Sequence, residues 1–351
     1  MTEVNSNYAF QGRVGRPSPD VSTKGVTERL RALGRFVLFK EAGPTKAWYG
    51  VLFLGAVTTW LGVVGYHVLA SEGSVAAALS SARGRTVGPA LVVFIAVILI
   101  AERFWPAVPR PLFSRAQVVD AAYLGIFAVV VLPLLTLVET GFSQEITQHA
   151  SFLVLGRLPL GSQVIVSGLI LIGIDAMNWG AHVANHRSLT LWRLHALHHS
   201  QEDLTVLTTF RTHPLVHASY LPSLFPALIL GASGTVPAVA IVAYSCLVTL
   251  PHANLRWTFG PLGRVFVSPA YHRLHHSAEF IDERGTVNFG FVLVGWDQLI
   301  HRAAFPTGTP VATGIYGRPV PVEQASSVLA MPKVVLAQLA QPFAVHSKTD
   351  G

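Results

Sequence analysis

The chain has 351 residues, of which 51% are hydrophobic and only 12% carry a charge. Soluble domains contain about a quarter charged residues, so this composition argues against an ordinary water-soluble enzyme and favours a protein with several membrane spans. The single cysteine, Cys246, excludes an internal disulfide, a cysteine-ligated zinc site and an iron–sulfur cluster held by this chain alone. The net charge of +7 comes from Lys and Arg between apolar stretches, which indicates an anionic membrane surface rather than nucleic acid as the partner.

Residues 1–46 are predicted to form a basic arm on the cytosolic side, with eight Lys or Arg against four acids. No apolar segment follows Met1, which argues against a cleaved signal peptide. Residues 29–40 fit either a short basic helix on the membrane surface or part of a disordered arm.

Apolar stretches then predict an all-α fold, a polytopic membrane bundle of four spans plus a helical hairpin. The first span has 23 uncharged residues, enough to cross a hydrocarbon core of about 30 Å. The 44 residues of the hairpin contain no Asp, Glu, Lys or Arg and are interrupted by glycine and proline near the middle. The predicted spans are 48–70, 86–101, 121–138 and 158–174, the hairpin is 212–255, the membrane-embedded domain is 47–305 and the C-terminal tail is 306–351.

The distribution of basic residues predicts the orientation. The arm has eight Lys or Arg, and the following loops have two, three and one, which favours a cytoplasmic N-terminus. Four crossings and a returning hairpin then place residues 182–199 and 272–276 on the same, cytoplasmic, face.

Histidines are concentrated on that predicted face. Of 15 histidines, eleven lie between residues 182 and 276, and eight of these form the groups HVANH (182–186), HALHH (195–199) and HRLHH (272–276). Residues i, i+3 and i+4 share one face of a helix, so each group directs its imidazoles one way. Neutral imidazole is the commonest metal ligand, and clustered imidazoles near an apolar phase are costly to leave unpaired. The pattern predicts a metal site with a cytoplasmic histidine-rich cap, and eight or nine histidines suit two ions better than one.

These boxes resemble those of the fatty acid hydroxylase/sterol desaturase superfamily of integral-membrane di-iron proteins. The resemblance covers about residues 90–300. The chain departs from the family pattern at Val183, Phe289 and residues 300–302, which weakens any transfer of substrate specificity but not of the metal site. Supporting matches are Trp192-Arg193-Leu194-His195, Arg211-x-His213-Pro214, His252-x-Asn254-Leu255-Arg256, Asn288-x-Gly290 and Trp296-Asp297.

The resemblance implies a set of ligands and a second set of residues that either ligate the metal or orient its ligands. Asp175 and Asp297 fit equally a cap at a helix end, and no acid or base separate from the metal centre is assigned. The implied ligands are His182, His186, His195, His198, His199, His272, His275 and His276, with His252 as a ninth. The second set is His213, His217, Asp175, Asn254, Asn288 and Asp297.

The same resemblance implies O₂-dependent oxidation of a membrane lipid, such as a fatty acyl chain, a sterol-like or an isoprenoid lipid, at two iron ions. Electrons would come from a separate reductase, ferredoxin or cytochrome, because the chain has no redox module of its own. Family breadth favours hydroxylation over desaturation by the same site. The alternatives are a metal transporter, which would carry ionisable groups inside its spans, and a structural metal-binding membrane protein. A membrane zinc hydrolase lacks its His-Glu-x-x-His motif.

Overall fold

The computed structural model describes residues 89–111, 114–132, 134–135, 148–153, 160–230, 235–278, 286–307, 310–315 and 330–343. The predicted basic arm, the predicted span at 48–70 and most of the predicted tail lie outside these residues. Within them the chain is helical and has no strand, and its β-type pairings are three isolated bridges. The all-α prediction is therefore confirmed for this part of the chain.

The α-helices, in chain order, are α1 (Pro89–Phe104), α2 (Arg115–Ile126), α3 (Leu160–Arg187), α4 (Leu189–His199), α5 (Phe225–Ile229), α6 (Thr235–Thr249), α7 (Pro269–His275), α8 (Gly295–Leu299) and α9 (Met331–Ala340). Helix α2 continues into a π-helical turn, Phe127–Val131. Short 3₁₀ helices occupy Ser151–Leu153, Val206–Phe210, Pro214–Leu224, Leu250–His252, Gly260–Arg264 and Gln341–Phe343.

Helix α3 is the longest of these elements. Its 28 residues extend about 42 Å at 1.5 Å per residue. Residues Val164–Arg187 form the one helix of the described part that is long and apolar enough to cross a membrane. Val164, Ile165 and Leu169 are each more than half exposed (59%, 67% and 53%), which is unfavourable in water and favourable in lipid. Whether the chain crosses the membrane four times stays a prediction.

Helix α1 packs beside the segments that lead into the histidine-rich region. Its buried Val92, Ile95 and Ile98 join a core with Phe210 and Leu255, and burial of each such side chain contributes about 1.5–3 kcal/mol. At the end of α1, one carboxylate oxygen of the buried Glu102 accepts hydrogen bonds from the backbone N–H groups of residues 206 (2.7 Å) and 254 (2.9 Å). Helix α1 is thereby fixed to both segments.

Helix α2 supports α4 from behind. It begins at a capping box, in which Ser114 and Gln117 satisfy each other's backbone N–H groups. Its buried Val119 and Tyr123 pack with Ala196 and Leu197 of α4 and with residues of α9. Helix α4 also packs against α3, so the histidines of α3 and α4 are held close together.

Candidate metal centre

Nine histidines from four elements converge in two groups. Within each group, one ring nitrogen of every residue lies within 4.8 Å of the others. All nine are buried except His186, which is half-buried. Group A consists of His182, His186, His195, His199 and His275, and group B consists of His198, His252, His272 and His276.

Helical spacing explains how the boxes supply both groups. Each HxxHH box lies on a short helix whose start is fixed by a serine, Ser188 for α4 and Ser268 for α7. Box 195–199 gives two residues to group A and one to group B, whereas box 272–276 gives one to group A and two to group B. Where the boxes meet, the rings of His199 and His276 stack with centroids 4.4 Å apart. The two groups are therefore adjacent.

The hydrogen bonds of His182 and His275 show what group A can bind. Nδ1 of His182 donates to the carbonyl oxygen of Phe289 (2.8 Å), and Nδ1 of His275 donates to that of Val287 (2.7 Å). A carbonyl only accepts, so in the neutral rings both Nε2 atoms carry lone pairs. These Nε2 atoms lie 3.0 Å apart. Two lone pairs at this distance repel each other unless a cation lies between the rings, so the arrangement fits a metal ion.

In group B the tautomer of one ring, that of His252, is fixed in a similar way. The Thr209 hydroxyl donates to the carbonyl of residue 249 (3.2 Å) and therefore accepts from Nδ1 of His252 (3.0 Å). Nε2 of His252 thus carries a lone pair, and it lies 3.0 Å from Nε2 of His198 and 3.1 Å from Nε2 of His272. A second cation fits here.

Burial keeps these imidazoles neutral. It lowers the pKa of His198 to about 3 and holds the pKa values of His199 and His276 well below the ordinary histidine range. Their nitrogen lone pairs are therefore free for a metal at neutral pH. Nε2 of His186 is buried and has no hydrogen-bond partner, as expected of a ligand atom. A donor set of imidazole nitrogens suits first-row transition metals such as iron or zinc rather than calcium or magnesium.

Residues 287–293, here called the carbonyl loop, supply the two carbonyls, and Asp297 holds one end of this loop. Burial raises the pKa of Asp297, against the opposing effect of its hydrogen bonds. A Cβ atom on Gly290 would lie 3.1 Å from Oδ2 of Asp297 and 2.9 Å from a backbone oxygen, so glycine is required at this position. Asp297 accepts from Trp179 Nε1 (3.0 Å), Phe289 N (3.0 Å), Gly290 N (2.8 Å) and Tyr271 OH (3.0 Å).

Asp175 holds the other end of the carbonyl loop. Like Asp297, it lies outside both histidine groups and does not cap a helix. Of the roles predicted for the two aspartates, their positions favour orienting the ligands. Asp175 accepts from Val292 N (3.0 Å), Leu293 N (3.1 Å), Trp296 Nε1 (2.9 Å) and Tyr244 OH (3.1 Å).

Asn288 and Asn254 also lie outside the two groups. Asn288 has a positive φ of 62°, and its side chain bonds to the carbonyl of Tyr271 (2.9 Å) and to both backbone groups of Ala304. The side chain of Asn254 bonds to the backbone of residue 108 and accepts from Nη2 of Arg273 (2.9 Å). Asn288 thereby fixes the carbonyl loop, and Asn254 fixes α7.

The structure does not bring His213 and His217 to the histidine groups. Nδ1 of His213 accepts from the N–H of Leu215 (3.2 Å), and its Nε2 donates to the carbonyl of Leu339 (3.1 Å). Nε2 of His217 lies 3.0 Å from the hydroxyl of Thr212. Their positions fit a supporting role rather than ligation.

A buried ion pair behind α4 escaped sequence reasoning. Asp120 and Arg211 are both fully buried, with Nη1 3.3 Å from Oδ1. Arg211 also donates to the carbonyl of Leu197 (3.2 Å) and to Oγ of Ser200 (3.1 Å). The sequence feature that could have revealed this ion pair is an acidic residue, Asp120, directly before the predicted span 121–138. Trp192 was named only as part of the match at 192–195 and was given no role, although its ring lies 5.1 Å from that of His186.

Comparisons with known proteins find matches to the part of the chain that holds these histidines. Residues 167–302, which contain all nine histidines, match the family model described as fatty acid hydroxylase. Over 206 residues the chain is 35% identical to the ornithine lipid hydroxylase OlsE of Rhizobium tropici, covering 55% of this chain and 54% of that protein. Identities to the alkylglycerol monooxygenases of Caenorhabditis elegans and Homo sapiens are 30% and 28%, over 36% of this chain and 25% and 28% of those proteins. The chain thus spans about half, or less, of the length of these relatives. No solved structure matches.

Proposed function

Because the chain belongs to the fatty acid hydroxylase superfamily through residues 167–302, we propose that it is a membrane oxidoreductase that hydroxylates a lipid at a pair of histidine-bound metal ions. The observation that carries the proposal is the convergence of nine imidazoles, eight of them buried, in two groups, with the Nε2 lone pairs of His182 and His275 facing each other in group A. One of the relatives is named as a hydroxylase and two are named as monooxygenases. Those names favour hydroxylation over desaturation.

The ions are proposed to be iron, with group A holding one and group B the other. When bound, a pair of irons supplies the reductive activation of O₂ that breaks an unactivated C–H bond. The protein contributes the geometry. Carbonyls of the carbonyl loop keep Nδ1 of His182 and His275 protonated and their Nε2 atoms free. Electrons are proposed to come from a separate carrier, since Cys246 alone cannot hold a cluster.

The substrate is proposed to be a lipid with a polar headgroup. The names of the relatives mention an ornithine lipid and alkylglycerols, which both combine long chains with a polar group. Exposed apolar side chains line α3 at residues 164, 165, 169 and 172, and the last two turns of the same helix carry His182 and His186. A lipid lying along this helix would therefore have one end close to group A.

The test is a comparison of whole-lipid extracts. Cells supplied with iron express the parent chain or the variant His275→Ala, and high-resolution mass spectrometry compares their lipids. We expect one lipid class to gain the mass of one oxygen with the parent only. A loss of two hydrogens would indicate desaturation instead. Identical extracts from parent and variant, for a parent carrying two irons per chain, would contradict the proposal.

A further inference from the structure

Asn185 is a fully buried amide beside two members of group A. It follows His182 by three residues and precedes His186 directly, so its Cα lies within one helical turn of both. Nδ2 of Asn185 donates to the hydroxyl of Tyr220 (3.0 Å), whereas Oδ1 is buried and has no hydrogen-bond partner. Reversing the amide would leave its nitrogen unpaired instead. A buried polar atom without a partner is unfavourable, and it indicates that a bound group completes the hydrogen bond.

Tyr220 extends this polar pair towards group A. Its hydroxyl accepts from Asn185, and no residue in the described part of the chain accepts the hydroxyl proton. The Tyr220 ring contacts Phe291, with centroids 6.0 Å apart, and Phe291 contacts His182 at 5.2 Å. The pair thus offers one acceptor and one donor, a single aromatic ring away from a histidine of group A.

A second Asn–Tyr pair, whose asparagine also lies on α3, differs from the Asn185–Tyr220 pair in its hydrogen bonds. Nδ2 of Asn178 donates to the hydroxyl of Tyr244 (3.1 Å), as Asn185 does to Tyr220. Tyr244 in turn donates to Oδ1 of Asp175 (3.1 Å). Asn178 lies seven residues, or about two turns, before Asn185 in α3. The hydroxyl proton of Tyr244 therefore has an acceptor within the protein, the carboxylate of Asp175. The difference singles out the Asn185–Tyr220 pair as a place for a ligand.

We propose that Asn185 and Tyr220 form a polar subsite for the lipid substrate, and that it binds a hydroxyl or amide group of that lipid beside group A. Such a group both donates and accepts, which matches the pair. The inference rests on the proposed lipid oxidation and deepens it. Because Asn185 lies within one helical turn of His182 and His186, the oxidised carbon lies within a few bonds of the polar group and not in the middle of an acyl chain.

The experiment measures binding without turnover. The full chain is loaded with zinc, which accepts imidazole ligands and is redox-inert, and is placed in nanodiscs. The probes are hexadecylglycerol and its dimethyl ether, which differ in whether the two hydroxyls can donate. Isothermal calorimetry compares the parent with Asn185→Leu and Tyr220→Phe. Tyr244→Phe is the matched control, since it removes a hydroxyl from the satisfied pair.

We expect the parent to bind hexadecylglycerol at least about tenfold more tightly than the ether, as one unpaired buried group implies. Asn185→Leu and Tyr220→Phe should bring this preference below about threefold, and Tyr244→Phe should keep it. If the preference came from the bulk of the methyl groups, all variants would retain it and the subsite would be refuted.

Equal binding of both probes by the parent would mean that the pair holds only water, and this would also overturn the inference. So would loss of the preference in Tyr244→Phe, because the effect would then be general. Zinc content and melting temperature, measured on every variant, confirm that each protein is folded. Failure of the iron-loaded parent to oxidise any lipid would refute the proposed function separately, since the binding experiment involves no oxidation.

Discussion

The second nitrogen of each histidine determines whether that histidine can bind a metal. Nδ1 of His275 donates to the carbonyl of Val287, and this leaves Nε2 unprotonated at 3.0 Å from Nε2 of His182. His275→Ala removes one ligand of group A and leaves group B complete. We expect the metal content to fall from about two ions per chain towards one and product formation to be lost.

Elemental analysis of the purified protein measures the loss of metal in His275→Ala. The matched control is His149→Ala, which changes an exposed histidine outside both groups and should keep both ions. Two firmly bound ions in His275→Ala would contradict the assignment of group A.

Asp297 lies outside both histidine groups, so its role in the proposed metal centre is to position other residues through hydrogen bonds. In Asp297→Asn an amide nitrogen replaces one carboxylate oxygen and faces two donors, either Trp179 and Phe289 or Gly290 and Tyr271. Leaving two donors unpaired should cost about 2–4 kcal/mol of unfolding free energy. The displaced Phe289 carbonyl should weaken metal binding about 10–100-fold.

Thermal melting and metal titration of Asp297→Asn test both effects. Gln298→Ala, at the exposed neighbouring position, should change neither. A variant with unchanged metal affinity would show that the carbonyl loop does not orient His182.

A buried charge pair joins Asp120 of α2 to Arg211, which also donates to the carbonyl of Leu197 in α4. In Asp120→Asn the fully buried guanidinium of Arg211 loses its counter-charge. Breaking such a pair from one side costs about 3–5 kcal/mol. We expect a clearly lower melting temperature for this variant, with the segment at residues 206–211 detached from α2.

The matched control for Asp120→Asn is Asp203→Asn. Asp203 pairs with Arg110 at 3.0 Å, and its side chain is 39% exposed whereas that of Arg110 is 9% exposed. Because water reaches this pair but not the pair of Asp120 and Arg211, the loss should be clearly smaller than for Asp120→Asn. Equal melting shifts for the two variants would contradict the importance given to the buried pair.

The histidine boxes were predictable at the level of elements because their chemistry is encoded in local spacing. HxxHH places three imidazoles on one side of a helix wherever that helix lies. The end of α3 was not predictable in the same way. The apolar stretch ends at residue 174 because Asp175 follows, yet α3 continues to Arg187. Four donors from distant segments satisfy that carboxylate, and single-sequence patterns do not reveal such partners.

The division of the histidines between the two groups depends on tertiary structure as well. Box 195–199 lies close in space to His252 and to box 272–276, which are more than 50 residues further along the chain. These neighbours decide which ring joins which group. The same applies to Glu102, whose partners lie more than 100 residues further along the chain. Sequence reasoning therefore predicted the donor set but not the contacts that orient it.

At the scale of the whole molecule, the segment after α1 contacts the segments that flank the histidine groups. The N–H of Ala107 donates to the carbonyl of Asn254 (2.8 Å), and Nη2 of Arg110 donates to the carbonyl of Glu202 (3.1 Å). The predicted topology, in which residues 102–120 form a cytoplasmic loop, requires such contacts, and its crossings and orientation stay predictions. The topology also places the loop before α3 on the opposite side of the membrane.

Cysteine labelling tests this topology. The single native cysteine is removed by Cys246→Ser, and Gln298→Cys or Gln148→Cys is then introduced at an exposed position. A membrane-impermeant maleimide should label Gln148→Cys in intact cells and Gln298→Cys only after permeabilisation, because the two positions lie on opposite sides of the membrane. Labelling of both positions in intact cells would place the histidine groups outside the cytoplasm, where a cytosolic electron carrier cannot reach them. Labelling of neither before permeabilisation would mean that an even number of crossings separates the two positions.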